Sequence, residues 1–124
     1  MKRIDLAGLY GLAWEKHDET LLRTIFHPQA EYFEKPFARS LKGIEEIVKY
    51  WRRNSAQQRN VKFTVLRRID LKMATIVEWH CEFDRVDLGK HLVLQGVFWA
   101  DVENDRIKRF VEYFARQDSQ IADD

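Results

Sequence analysis

Glu112 sits between Phe110 and Phe114 at alternating positions, so in a strand all three side chains share one face. An acid flanked by rings at i±2 is poorly solvated, and a buried carboxyl needs a hydrogen-bond partner or a raised pKa. Tyr10, a Trp indole or a backbone group are candidates for that partner. A second acid, Glu34, follows Ala30 and Tyr32 at the same alternation, two residues before Pro36. Tyr32 places a hydroxyl on that face. The histidines carry less. His17 closes a helix stripe, where imidazolium suits the helix dipole, and His27 precedes a proline. His80 and His91 fall on the outward parity of neighbouring strands, beside Glu78 and Glu82. His80 with a Glu reads as a proton-transfer pair or as a solvated network. No Ser-His-Asp arrangement, Gly-rich phosphate loop or 2-His-1-carboxylate set is present.

The elements that must position these groups are bounded by size and composition. A chain of 124 residues holds one domain and one core. Hydrophobic residues make up 45% and charged residues 33%, a folded rather than a disordered balance. Lys and Arg total 21 against 20 Asp and Glu, so no global field draws in nucleic acid. No apolar run approaches the ~20 residues that span a bilayer, and the start MKRIDLAGLY lacks a signal peptide's apolar centre. The lone Cys81 and the Cys/His spacing fit neither an internal disulfide nor a zinc site. The expectation is a cytoplasmic protein with no cofactor, metal, nucleic acid or membrane partner. Four Trp, four Tyr and eight Phe exceed a minimal core and suit either a well-filled core or the walls of an apolar pocket.

Periodicity divides the chain in two. Leu6, Leu9, Tyr10, Ala13, Trp14 and His17 form one helical stripe. Asp18 can cap a second helix that buries Leu21, Leu22, Ile25 and Phe26 and stops before Pro28. A third starts at Gly43 and buries Ile44, Ile47, Val48 and Trp51, with Glu45 and Lys49 as an i, i+4 pair on its wet side. After the polar stretch Asn54–Asn60 the period becomes two. Val61, Phe63 and Val65 alternate; so do Thr75, Val77, Trp79, Cys81 and Phe83, then Leu92, Leu94, Gly96, Phe98 and Ala100. A final strand is predicted from Arg106 to about Ala115. Turn signals fall at Asp70–Lys72, Asp87–Gly89 and Glu103–Asp105. The expected domain covers residues 1–117, and 118–124 read as a tail.

This order resembles the nuclear transport factor 2-like superfamily, which includes ketosteroid isomerases and SnoaL-like polyketide cyclases. The resemblance rests on the helix with Trp14, Phe26-His27-Pro28 leading into a strand, and Gly43 followed by Ile47 and Trp51. It continues through the Trp79 strand, Gly96 and Phe110-x-Glu112-Tyr113-Phe114. It implies a cone-shaped α+β roll with three helices on the concave face of a curved, mainly antiparallel sheet. It also implies a general base near the end of the first strand, which falls on Glu34, one residue further from the proline than the family pattern. An apolar pocket disfavours the anion and raises its pKa towards the useful range. In the isomerase a protonated Asp serves the oxyanion hole, but the fourth strand here offers Gly96 and Phe98 on its inner face, with no acid.

The expected site is therefore Glu34, Tyr32 and Glu112 as catalytic groups. Tyr10, Trp14, Trp51, Phe63, Trp79 and Phe98 are the expected substrate-binding walls. On the outer sheet face Ile76, Val93, Val97 and Trp99, with Val111 or Tyr113, are too apolar for open water and suit an isologous homodimer. Two functions fit: a cofactor-free isomerase, cyclase or dehydratase acting on a small apolar or carbonyl-containing molecule, or a non-catalytic ligand-binding or scaffold homodimer. A protein-interaction module fits less well, because self-association explains the outer face.

Overall fold

The computed structural model describes residues 4–121. The first helix, α1 (Leu6–Lys16), begins where the Asp5 carboxylate accepts a hydrogen bond from the Gly8 N–H at 3.0 Å. It stops at His17, whose left-handed φ of 51° turns the chain. Asp18 then caps α2 (Glu19–Ile25) by accepting from the Leu21 N–H. Phe26, read from the sequence as the end of that helix, instead opens β1 (Phe26–Phe33) and is fully buried. The short β2 (Leu41–Lys42) pairs antiparallel with β1. Gly43, at φ 84°, leads into α3 (Ile44–Gln57), which buries Ile47, Val48 and Trp51. Its Glu45, besides feeling the charge of Lys49, pairs with Arg23 of α2 at 2.6 Å, an exposed contact that links the two helices.

The polar stretch Asn54–Asn60 is not a loop. The helix runs to Gln57 and β3 (Gln58–Leu71) starts at the next residue. Buried Gln58 makes this possible, because its side-chain oxygen accepts from the Trp14 indole N–H at 2.8 Å and anchors the junction to α1. Hairpins then join β3 to β4 (Ala74–Arg85), β4 to β5 (Lys90–Glu103) and β5 to β6 (Arg106–Gln120). The last strand runs beyond the expected limit. Asp118 pairs with Leu92 and accepts from Lys90 at 3.1 Å, so the first residues read as a tail belong to the sheet. Residues 122–124 lie outside the described residues.

The six strands form one mostly antiparallel sheet in the order β2-β1-β6-β5-β4-β3, with β1 and β6 parallel. Alternation sorts its faces as the period-2 segments require. Val77, Trp79, Cys81, Phe83, Leu92, Phe98 and Phe110 point into one core with the helix stripes. The three helices thus cover one face of a curved sheet, an α+β architecture. On the other face the register aligns Phe33, Val111, Trp99, Ile76 and Ile69 as a cross-strand apolar row. Trp99 is 44% exposed at its centre, although Val111 beside it is buried.

Gly96 marks a close approach of β5 to β6. A Cβ there would lie 2.1 Å from the Tyr113 carbonyl oxygen and 2.6 Å from Phe114 Cα, both backbone atoms that cannot swing aside. Gly96→Ala is expected to destabilise the fold by about 2–3 kcal/mol, as overpacking does. Urea denaturation checks this, and an unchanged midpoint would contradict the close approach.

Candidate functional site

A cavity of roughly 390 Å³ opens between the second half of α3, the segment after β1, and the inner faces of β4, β5 and β6. Among its buried lining groups is the acid Glu112, only 5% exposed. Tyr10 on α1 donates its hydroxyl hydrogen to Glu112 Oε1 at 2.5 Å. The Tyr32 hydroxyl belongs to the same buried group and interacts with both. The rings are held by stacking. Phe110 lies between Tyr10 (5.1 Å, 30°) and Tyr32 (4.8 Å, 15°), so the three cannot turn independently.

Burial sets the protonation of this centre. Loss of water raises the Glu112 pKa from the ordinary 4.5 to about 8, against the lowering effect of the Tyr10 hydrogen bond. The nearby charge of Glu34 pushes it up further. Both tyrosines are shifted well above their usual range, first by burial and then by the Glu112 charge. Near pH 7 Glu112 is thus mostly a neutral acid with one O–H to donate, an unusual state for a carboxyl and one that proton-transfer sites exploit. Glu34 differs: it is half-buried at the rim, in the bend after β1. Tyr50 stands beside it, its hydroxyl pKa raised by burial and then by the charges of Glu34 and Glu112.

Register explains why both acids reach one space. The irregularity in β1–β6 pairing lies between Phe26 and Glu31, and that in β5–β6 lies at Asp101–Val102. Both precede the acids, so from Glu31 and Arg109 onward the pairing is regular and Tyr32 faces Phe110. Of the residues expected from sequence, Tyr10, Trp14, Tyr32, Glu34, Trp51 and Glu112 line the cavity. Phe63, Trp79 and Phe98 do not. Phe63 lies against Gly11, where an added Cβ would sit 2.4 Å from its ring, and it stacks on Trp79 at 5.9 Å. Phe98 packs on Phe110 at 4.8 Å. These three form the layer behind the wall, because α1 closes directly over that part of the sheet.

Sequence reading missed the open end. Tyr50, Asn54, Ser55 and Gln58 enter because α3 continues straight into β3. Phe83, Leu92 and Leu94 carried the right parity, but nothing local showed where helical cover would stop. The histidine cluster belongs to the opposite face. His80 contacts Gln95, its partner across β4–β5, and Glu82 two residues along its own strand, and His91 contacts Asp84, its own cross-strand partner. Among the described residues no group of three His, Cys, Asp or Glu side chains is arranged to hold a metal ion, and no helix is long and apolar enough to cross a membrane.

Comparison with known proteins agrees with this architecture. Residues 7–110 match the SnoaL-like domain family. Among solved structures, a protein of ketosteroid isomerase-like fold from Catenulispora acidiphila, in complex with trimethylamine, superposes with a TM-score of 0.79 at 15% identity, covering 90% of this chain and 86% of that one. A LEH-like epoxide hydrolase from M. tuberculosis gives 0.77 at 13%, over 90% and 81%. An NTF2-like protein of unknown function from Burkholderia pseudomallei gives 0.77 at 15%, over 89% and 88%. At these identities the likeness shows the fold. No curated protein sequence matches.

The raised Glu112 pKa has a measurable consequence for stability. The folded protein holds a proton on this acid up to about pH 8, whereas the unfolded chain releases it near 4.5. Its contribution is therefore fully present below pH 4.5, declines as pH rises, and is lost through about pH 8. Glu112→Gln should flatten stability between pH 5 and 8 in denaturant titrations. A wild-type profile that rises over that window, or a variant with the same slope, would count against a buried neutral acid.

Proposed function

The chain belongs to the SnoaL-like domain family, and we propose that its cavity binds a small, largely apolar carbonyl or cyclic compound and moves a proton on it without a cofactor. The observation that carries this reading is the presence of two carboxyls in unlike environments in one cavity: Glu34 at the rim and Glu112 buried against Tyr10. Environments that push paired acids apart assign base and acid roles. Glu34 is the base and takes a proton from carbon next to the substrate carbonyl, and the bonding pair moves onto the carbonyl oxygen. Glu112, with its O–H, and Tyr32 stabilise that developing oxyanion as hydrogen-bond donors. Return of the proton to a different atom completes an isomerisation, and expulsion of a leaving group completes a dehydration. Trp14 and Trp51 supply the apolar wall that keeps the reacting charge poorly solvated.

One observation favours a second reading. The Tyr10 hydroxyl is already committed to Glu112, so this buried polar pair is satisfied before any ligand arrives, as in a binding protein that holds without turnover. Glu34→Gln separates the two, since Gln keeps size and hydrogen bonding but accepts no proton at neutral pH. Across a screen of ketosteroids, other cyclic ketones, lactones and epoxides, the variant should lose roughly 10²–10⁴-fold in rate while still binding. Full activity in the variant removes Glu34 as base. Binding by the wild type with no turnover across the screen favours the holding protein.

We further propose self-association through the convex face. The row Phe33, Val111, Trp99, Ile76 and Ile69 is apolar across five strands. It is flanked by Val97 and Tyr113, the latter 49% exposed. A two-fold contact would cover this face without touching the cavity. Trp99→Lys is expected to convert a dimer to a monomer in light scattering at micromolar concentration. A monomeric wild type would remove the proposal.

A further inference from the structure

The two walls of the cavity mouth carry different charge. On the sheet side the inward-facing alternation that presents Glu112 and Phe114 continues to Arg116, and that of Phe83 continues to Arg85. Between these strands Leu92 and Leu94 form an apolar floor, with Leu94 directly opposite Arg116. On the other side stand Glu34 and Lys35, adjacent on the segment after β1 and of opposite charge. Arg85 spends its Nε and Nη2 on Asp87, at 2.8 and 2.6 Å, which fixes the guanidinium plane and leaves Nη1 outside that pair. Arg116 is held more loosely. It shares Asp118 with Lys90, as an ion pair at 3.8 Å against the Lys90 hydrogen bond at 3.1 Å.

Building on the proposed use of the cavity, we infer that Arg116, assisted by Arg85, forms a subsite at its mouth for an anionic group, and that the ligand is an amphiphile with an uncharged cyclic or carbonyl body inside and a carboxylate at the sheet-side rim. An arginine aligned with an apolar floor suits that shape, because its planar fork pairs with carboxylate oxygens while its stem covers hydrocarbon. The same placement explains how one cavity can hold Glu34 and an acidic ligand: the repelling carboxylate stands on the opposite wall. Ligand orientation follows. With its charge held by Arg116, the body of the molecule must point towards Glu112.

The test uses 4-oxocyclohexanecarboxylate and its methyl ester, followed by NMR through the indole N–H signals of Trp14 and Trp51. At low salt the carboxylate should bind roughly tenfold more tightly than the ester, as a charge-assisted pair at a partly exposed site allows. The advantage should shrink as ionic strength rises. Arg116→Gln should reduce it to about twofold or less. Arg67→Gln, the same charge change on the convex face, should preserve it. An ester that binds as tightly as the acid, or a preference that survives Arg116→Gln, overturns the subsite and leaves the cavity reading standing. If neither compound moves the indole signals, both readings fall.

Discussion

A buried carboxyl in the last strand must find a hydrogen-bond donor, and the donor it finds lies 102 residues away in the first helix. The Tyr10–Glu112 contact joins the two ends of the chain across the core. Removing the hydroxyl would leave an acid without its donor in an apolar layer, a loss of about 1–3 kcal/mol. The position of α1 over the sheet follows from it, together with the Trp14–Gln58 hydrogen bond and the contact of the Glu15 carboxylate with the Phe63 N–H. All three bonds hold the same helix, which is why its side chains form a fixed wall at one end of the concavity.

The rings serve packing and site together. Tyr10 contacts Trp14, Trp51, Phe63, Phe98 and Phe110 within about 6 Å, mostly edge to face. A network this dense leaves little room behind the wall, so the cavity survives only where α3 ends and helical cover gives out. The aromatic excess thus splits. Phe63, Trp79 and Phe98 fill the core, whereas Trp14 and Trp51 face both ways.

How much of this was legible depends on how local each cause is. Helix stripes, the Asp18 cap and strand parity are written within a few residues, and apart from Phe26 they emerge as read, including the inward face shared by Tyr32 and Glu112. The choice of Tyr10 as partner to Glu112 stayed among several candidates because it depends on how α1 crosses the sheet. The polar stretch Asn54–Asn60 marked the change of period without showing its form, because polar composition reports on solvation, while the helix-to-strand junction is set by Gln58 meeting Trp14. The wall residues Phe63, Trp79 and Phe98 failed for a related reason. Parity tells which face a side chain takes, not what covers that face.

The single parallel pairing of β1 with β6 also governs when the molecule can assemble. β6 lies between β1 and β5, so β1 has no long neighbour until residues beyond Arg106 are available. During synthesis the helices and β1 leave the ribosome first and must wait for the final strand. The three hairpins, by contrast, can zip in succession as they appear, and loop closure between distant segments comes last. Closure of the sheet is therefore bound to the arrival of β6, and a product lacking that strand exposes the β6-facing edge of β1 with its aromatic face uncovered.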